Sequence, residues 1–224
     1  MSNAPSSAKL PRIGSYVMPT ADELPPVVAP WRVQTDRVAL LIHDMQQYFV
    51  DAFASGEAPV EAVVANIARL RDACDAQGVP VFYTAQHAAQ DQRDRGLQAK
   101  FWGTGMATAE QAAIIPALRP GAGHHVLTKW RYSAFQRTPL EEMLRARGRS
   151  QLIVCGVYGH IGCLLSAADA FMRDIEPFLV SDAIGDFSRA HHDQAITYAA
   201  SRCAVVQDTT QIVAALSGTE VTTS

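Results

Sequence analysis

Four short apolar runs of this chain end on residues that can do chemistry. Asp44 closes "RVALLIHD", Gln86 closes "VPVFYTAQ", Lys129 stands at the end of "HVLTKW", and the stretch Tyr158 to Cys163, "YGHIGC", follows "QLIVCGV". A carboxylate and an ammonium at neighbouring strand ends can form one polar site, because each is costly to bury without a partner. The same pair also fits a structural ion pair at a sheet edge.

The turn carries three further readings. Cys163 at a helix start has the position that favours a thiolate, with His160 as the nearby base, and the alternative is a small buried residue on an apolar helix face. Gly156, Gly159 and Gly162, with Asp182 near the end of the next strand, suggest a dinucleotide site. The spacing is GxxGxxG rather than GxGxxG and belongs to the fourth run, so glycines that let a helix pack tightly on a strand explain it better. His124–His125 and His191–His192 are adjacent pairs, and sequence neighbours seldom face one ion. No metal-ligand spacing appears, so no metal is expected.

These residues need a scaffold that gathers strand ends. The apolar runs 37–44, 79–86, 125–130, 151–157, 177–183 and 203–208 read as strands buried on both faces, as in a parallel sheet covered by helices. Between them, Val63, Ile67, Leu70 and Cys74 recur at helical spacing, with Gly78 as the stop. "TPLEEMLRARG" predicts a capping box, in which Thr138 accepts from first-turn amides, Pro139 takes the first helical position, Glu141 reaches back and Gly148 ends the helix. The alternation predicts a three-layer α/β/α, Rossmann-like fold on a mostly parallel six-stranded sheet, with sites beyond the carboxyl ends of the strands.

Composition narrows the class. With 224 residues, 48% of them apolar and 18% charged, the chain suits one globular domain over 31–224 behind an irregular Pro-, Ser- and Ala-rich arm over 1–30. A short helical turn is expected within "PTADELPP". A formal charge of -3 with scattered Lys and Arg gives no footprint for nucleic acid. Neither a signal peptide nor a membrane span is legible, so a cytoplasmic protein with no membrane partner is expected. Cysteines 74, 155, 163 and 203 form no CxxC pair and read as free thiols.

Taken together, "LLIHDMQQYF", "VFYTAQ", "FWGTGM", "LTKWRYSAF", "CGVYGHIG", "AADAFMRDIEPFLVSDAIGDFS" and "YAASRCAVV" resemble the isochorismatases of siderophore and phenazine biosynthesis, a branch of the cysteine-hydrolase-like superfamily. The resemblance runs from the arm to about Leu216. It places the superfamily's Asp at Asp44 and its Lys at Lys129. Aligned on "AADAF", the nucleophilic Cys of a nicotinamidase falls on Gly162, leaving Cys163 one residue late and turned by about 100°. The nicotinamidase metal pattern D-x-H is replaced by Gln86 and His87 in "TAQHAA". Both departures match an isochorismatase, which needs neither covalent intermediate nor metal.

The reaction implied is cofactor-free hydrolysis of the enolpyruvyl vinyl ether of a chorismate-derived substrate, with Asp44 as the acid that protonates the methylene carbon. By the same resemblance Gln86, Arg95, Lys129 and Tyr158 bind the carboxylates and the ring hydroxyl, and Tyr48, Phe49, Trp102 and Tyr132 form an apolar wall. The substrate is isochorismate or its 2-amino-2-deoxy analogue. A silent dimeric scaffold is the competing class, and the joint presence of Asp44, Lys129, Gln86 and Arg95 speaks against it. A homodimer, a free-standing enzyme with no aryl-carrier domain after "SGTEVTTS", and a strained or cis peptide near Val157 are further expectations. Gly159, where the family has Ala, is expected to loosen the turn.

Overall fold

The structure, a computed structural model, describes residues 10–219. Residues 1–9 of the expected arm and 220–224 of the chain's end lie outside the described residues.

The apolar runs become strands β1 Val38–His43, β2 Val81–Ala85, β3 His125–Thr128, β4 Gln151–Val157, β5 Glu176–Gly185 and β6 Val205–Gln207. All pair in parallel, in the order β3-β2-β1-β4-β5-β6. Asp44, Gln86 and Lys129 fall just past the ends of β1, β2 and β3, where the chain leaves the ladder. The β5 strand runs past its expected end at 183 to Gly185, through a register shift opposite Val154 and Gly156.

Helices α1 Gln47–Val50, α2 Val60–Ala76, α3 Gln92–Arg95, α4 Gln98–Trp102, α5 Ala109–Ala112, α6 Leu140–Ala146, α7 Leu164–Phe171, α8 Arg189–Arg202 and α9 Thr209–Leu216 fill the connections. Alternation along β1 sends Leu40 and Ile42 into the layer of α2 and α9, and Ala39 and Leu41 into that of α6, α7 and α8. On α2, Val63, Ile67, Leu70 and Cys74 are fully buried, each of the larger side chains contributing about 2 kcal/mol of transfer free energy. Gly78, at φ +64°, follows the helix.

The capping box expected on α6 does not form. Pro139 is the N-cap with no side-chain bond, the Thr138 hydroxyl donates to the Ala134 carbonyl at 2.5 Å and accepts from the Leu140 amide at 3.3 Å, and Glu141 is drawn away by Arg145 and Arg173. Two guanidiniums outcompete one backbone amide for that carboxylate.

The described part of the arm is tied down. Ile13 exchanges backbone hydrogen bonds with Ala52 and Ala54, Ala21–Glu23 makes the expected helical turn, and the Tyr16 hydroxyl accepts from the Asp186 amide at 2.9 Å. Strand order reverses at β1, with β2 on one side and β4 on the other, so a crevice opens at their carboxyl ends.

Candidate active site

Asp44 lies at the mouth of that crevice. Its φ of +50° turns the chain sharply off β1, and its carbonyl accepts from the Gln46 amide at 2.7 Å. One carboxylate oxygen takes the Thr84 hydroxyl at 2.5 Å and the other the Lys129 ammonium at 3.1 Å. The Lys129 amide in turn donates to the Ala85 carbonyl at 2.9 Å, which fixes it beside β2. Both members of the pair are buried. Burial pushes the Asp44 carboxyl up, but the adjoining His43 ring, the Lys129 ammonium and the Thr84 hydroxyl outweigh it and hold the group below the ordinary carboxylate range.

Arg95, on α3, is a buried cation of a different kind. It donates to the Gly103 carbonyl at 2.7 Å, to Gln86 Oε1 at 3.2 Å and to Gln90 Oε1 at 3.5 Å, all neutral acceptors. Gly105, at φ +82°, backs the guanidinium so closely that a Cβ there would lie 2.8 Å from Nη1. Burial lowers the Arg95 pKa, the mark of a charge short of compensation. Gln86 is held at both backbone groups by the buried Gln46 side chain, each bond 2.8 Å. Its side-chain oxygen accepts from Arg95, and its amide NH2 has no hydrogen-bond partner among the described residues.

The third wall is the turn after β4. Gly159–Cys163 forms one wide π-type turn, closed by the Cys163 amide on the Tyr158 carbonyl at 3.3 Å. The Val157–Tyr158 peptide is cis. Fully buried Asp186 clamps the turn, accepting from the His160 amide at 2.6 Å and meeting the His160 ring at 2.5 Å. A Cβ on Gly159 would lie 2.9 Å from that carboxylate, so glycine here makes room for the clamp rather than loosening the turn. Cys163 points into the core of α7 and α8, and burial pushes its thiol well up, against the helix-start effect.

One cavity joins these walls. Asp44, Lys129, Gly162, Gln86 and Arg95 all line it, as do Tyr158, Tyr132, Trp102 and Phe49. Trp102 donates to the Tyr132 hydroxyl at 2.7 Å, bracing one side. The Tyr158 hydroxyl, expected on the substrate, is spent on the Phe49 carbonyl at 2.9 Å, so the ring is wall more than ligand. Tyr48 is the residue that the cavity leaves out. It packs edge-on against Phe49 and lines a neighbouring groove, because successive residues of α1 point about 100° apart. Sequence reasoning missed His43, Gln98, Phe187 and Leu10 of the arm, which also line the cavity. Only His43 carried a signal, a histidine inside an apolar strand next to the candidate acid.

The isochorismatase domain model matches residues 38–211. The chain belongs to the isochorismatase family. Among its relatives in that family, an isochorismatase of Bacillus subtilis is 50% identical over 196 residues, covering 87% of this chain and 63% of the relative, so the chain spans less than two thirds of that protein. Enterobactin synthase component B of Escherichia coli is 46% identical over 92% of this chain and 73% of its own length. A phenazine biosynthesis protein of Pseudomonas aeruginosa is 48% identical over 91% of this chain and 98% of its own. Among solved structures, an isochorismatase family protein of Desulfovibrio vulgaris superposes with a TM-score of 0.69 at 30% identity, covering 81% of this chain and 99% of the neighbour. A cysteine hydrolase of Pseudomonas syringae shares the fold, with a TM-score of 0.77 at 24% identity over 87% of this chain and 98% of its own. Among the described residues, no group of three or more His, Cys, Asp and Glu could hold a metal ion, and no helix is long and apolar enough to cross a membrane.

Proposed function

We propose that this chain is an isochorismatase that hydrolyses the vinyl ether of isochorismate, giving pyruvate and 2,3-dihydro-2,3-dihydroxybenzoate, without a cofactor. The observation that carries the reading is the buried Asp44–Lys129 pair lining one cavity with Gly162, an acid and a cation with no cysteine among the described lining residues. Asp44 as the carboxylic acid gives its proton to the terminal methylene carbon. The resulting oxocarbenium ion takes water, and the hemiketal loses the ring alcohol to leave pyruvate. The aromatic wall limits the water that reaches the cation.

In the free protein Asp44 is held as the anion, whereas the reaction needs its acid. A dianionic substrate resolves this conflict. Its carboxylates occupy Lys129 and the under-compensated Arg95, weaken the Lys129 contact to Asp44 and add negative charge beside it, both of which raise its pKa. Residues 31–224 are read as one hydrolase domain of a cytoplasmic enzyme. The homodimer has a candidate face in the exposed Leu97, Phe101, Leu165 and Met172, which flank a groove reaching Tyr132.

The test is pyruvate release from isochorismate by chelator-treated protein, coupled to lactate dehydrogenase. Steady release supports the reading, and its absence overturns it. A higher kcat/KM on 2-amino-2-deoxyisochorismate would move the substrate to the amino analogue.

A further inference from the structure

His43 occupies the place where a side chain at residue 162 would have to go. An ideal Cβ on Gly162 would lie 2.0 Å from His43 Cε1, 2.6 Å from Nε2 and 2.8 Å from Nδ1, distances that no real Cβ contact shows. The ring cannot step aside easily, because it is 1% exposed and both of its nitrogens face backbone carbonyls. Nδ1 meets the Val157 carbonyl at 2.8 Å and Nε2 the Tyr132 carbonyl at 3.2 Å. Val157 ends β4 immediately before the Tyr158 turn, and Tyr132 lies three residues after Lys129, so one ring touches both the β4 and the β3 side of the cavity. Its Nδ1 is also 3.7 Å from Asp44 Oδ2.

From this geometry we infer that His43 is a positioning residue for Asp44: its imidazole fills the seat of a residue-162 side chain and, wedged between the Val157 and Tyr132 carbonyls with its one N–H donated to one of them, holds the β4 and β3 walls of the cavity around the acid. The inference rests on the isochorismatase reading for its catalytic half only. The steric half concerns folding and stands apart from any activity. In consequence, substituting Gly162 alone does not install a side chain at that seat; the ring has to be removed with it.

The experiment is a double-mutant cycle of His43→Ala and Gly162→Ala, read by urea unfolding midpoints at neutral pH. Gly162→Ala is expected to lower the midpoint in the wild-type background and to leave it unchanged or raise it in the His43→Ala background. An equal penalty in both backgrounds overturns the steric claim. If Gly162→Ala alone is insoluble, a soluble double variant supports the claim and an insoluble one counts against it.

For the positioning role, His43→Asn keeps a donor near the Nδ1 position, whereas His43→Leu keeps volume with no donor. The Leu variant is expected to lose about 100-fold in kcat with little change in KM, and the Asn variant to recover at least about tenfold of that loss. Equal losses in the two variants, or losses confined to KM, overturn positioning. If wild-type protein releases no pyruvate from either substrate, the functional reading and the catalytic half fail together, while the urea cycle still decides the steric half.

Discussion

Lys129 Nζ stands 3.1 Å from Asp44 Oδ2, while the Thr84 hydroxyl holds Asp44 Oδ1 at 2.5 Å, so the carboxylate is gripped at both oxygens. Asp44→Asn keeps this shape and removes the transferable proton. It is expected to lower kcat about a thousandfold with a much smaller change in KM. The neutral amide also leaves Lys129 buried without its counter-charge, for an expected loss of about 3 kcal/mol in urea unfolding at neutral pH. Near-normal pyruvate release by this variant would remove Asp44 from the chemistry.

Among the described residues Arg95 donates to neutral acceptors only, and under the proposed function a substrate carboxylate completes the arrangement. Arg95→Lys keeps the charge and loses the fork that binds a carboxylate at two points. The expected outcome is a KM raised at least about tenfold with kcat within a few-fold, the pattern of lost substrate binding. A fall in kcat at unchanged KM would instead place Arg95 among the groups that act in the transition state.

Cys163 sits next to Gly162 in sequence, but its side chain is buried in the apolar layer of α7 and α8. Cys163→Ala is expected to leave kcat and KM unchanged and to cost about 1 kcal/mol of stability. Iodoacetamide treatment of folded wild-type protein is expected to leave activity intact. Inactivation that maps to Cys163 would restore the nucleophile reading.

What the sequence made legible follows from the geometry of a parallel sheet. Asp44, Gln86 and Lys129 end adjacent strands, so recognising the strands was enough to bring them together. Arg95 offered no such handle, because α3 is a single turn with no periodicity to read, and only the family resemblance pointed to it. Tyr48 was misplaced because neighbours on a helix diverge. His43 was overlooked for the converse reason: residues 43 and 44 of a regular strand face opposite layers, but the φ of +50° at Asp44 ends the alternation and turns both toward one cavity. The missing cap on α6 reflects competition from Arg173, a contact 32 residues away that no local pattern contains.

His43 also gives the protein a pH signature that does not depend on activity. Burial pushes its imidazole down to about 4, with the Lys129 ammonium adding to the effect and Asp44 opposing it. The unfolded chain has a histidine of ordinary pKa, about 6.5, so between about 6.5 and 4 the unfolded state binds a proton that the folded state refuses. The sign is therefore fixed. This contribution to stability is complete above the unfolded value and is lost as pH falls toward the folded one, by about 3 kcal/mol across the window. Asp44, itself held below its ordinary range, adds a loss of the same sign at the acid end. Buried His192 is lowered as well, but it is present in both proteins of a comparison and cancels. Urea unfolding of wild type and His43→Asn across this range is expected to show a steeper acid loss in wild type, with the two curves converging toward pH 4. Parallel curves would mean that His43 takes up its proton in the folded state at an ordinary pH, donating from both nitrogens to the Val157 and Tyr132 carbonyls.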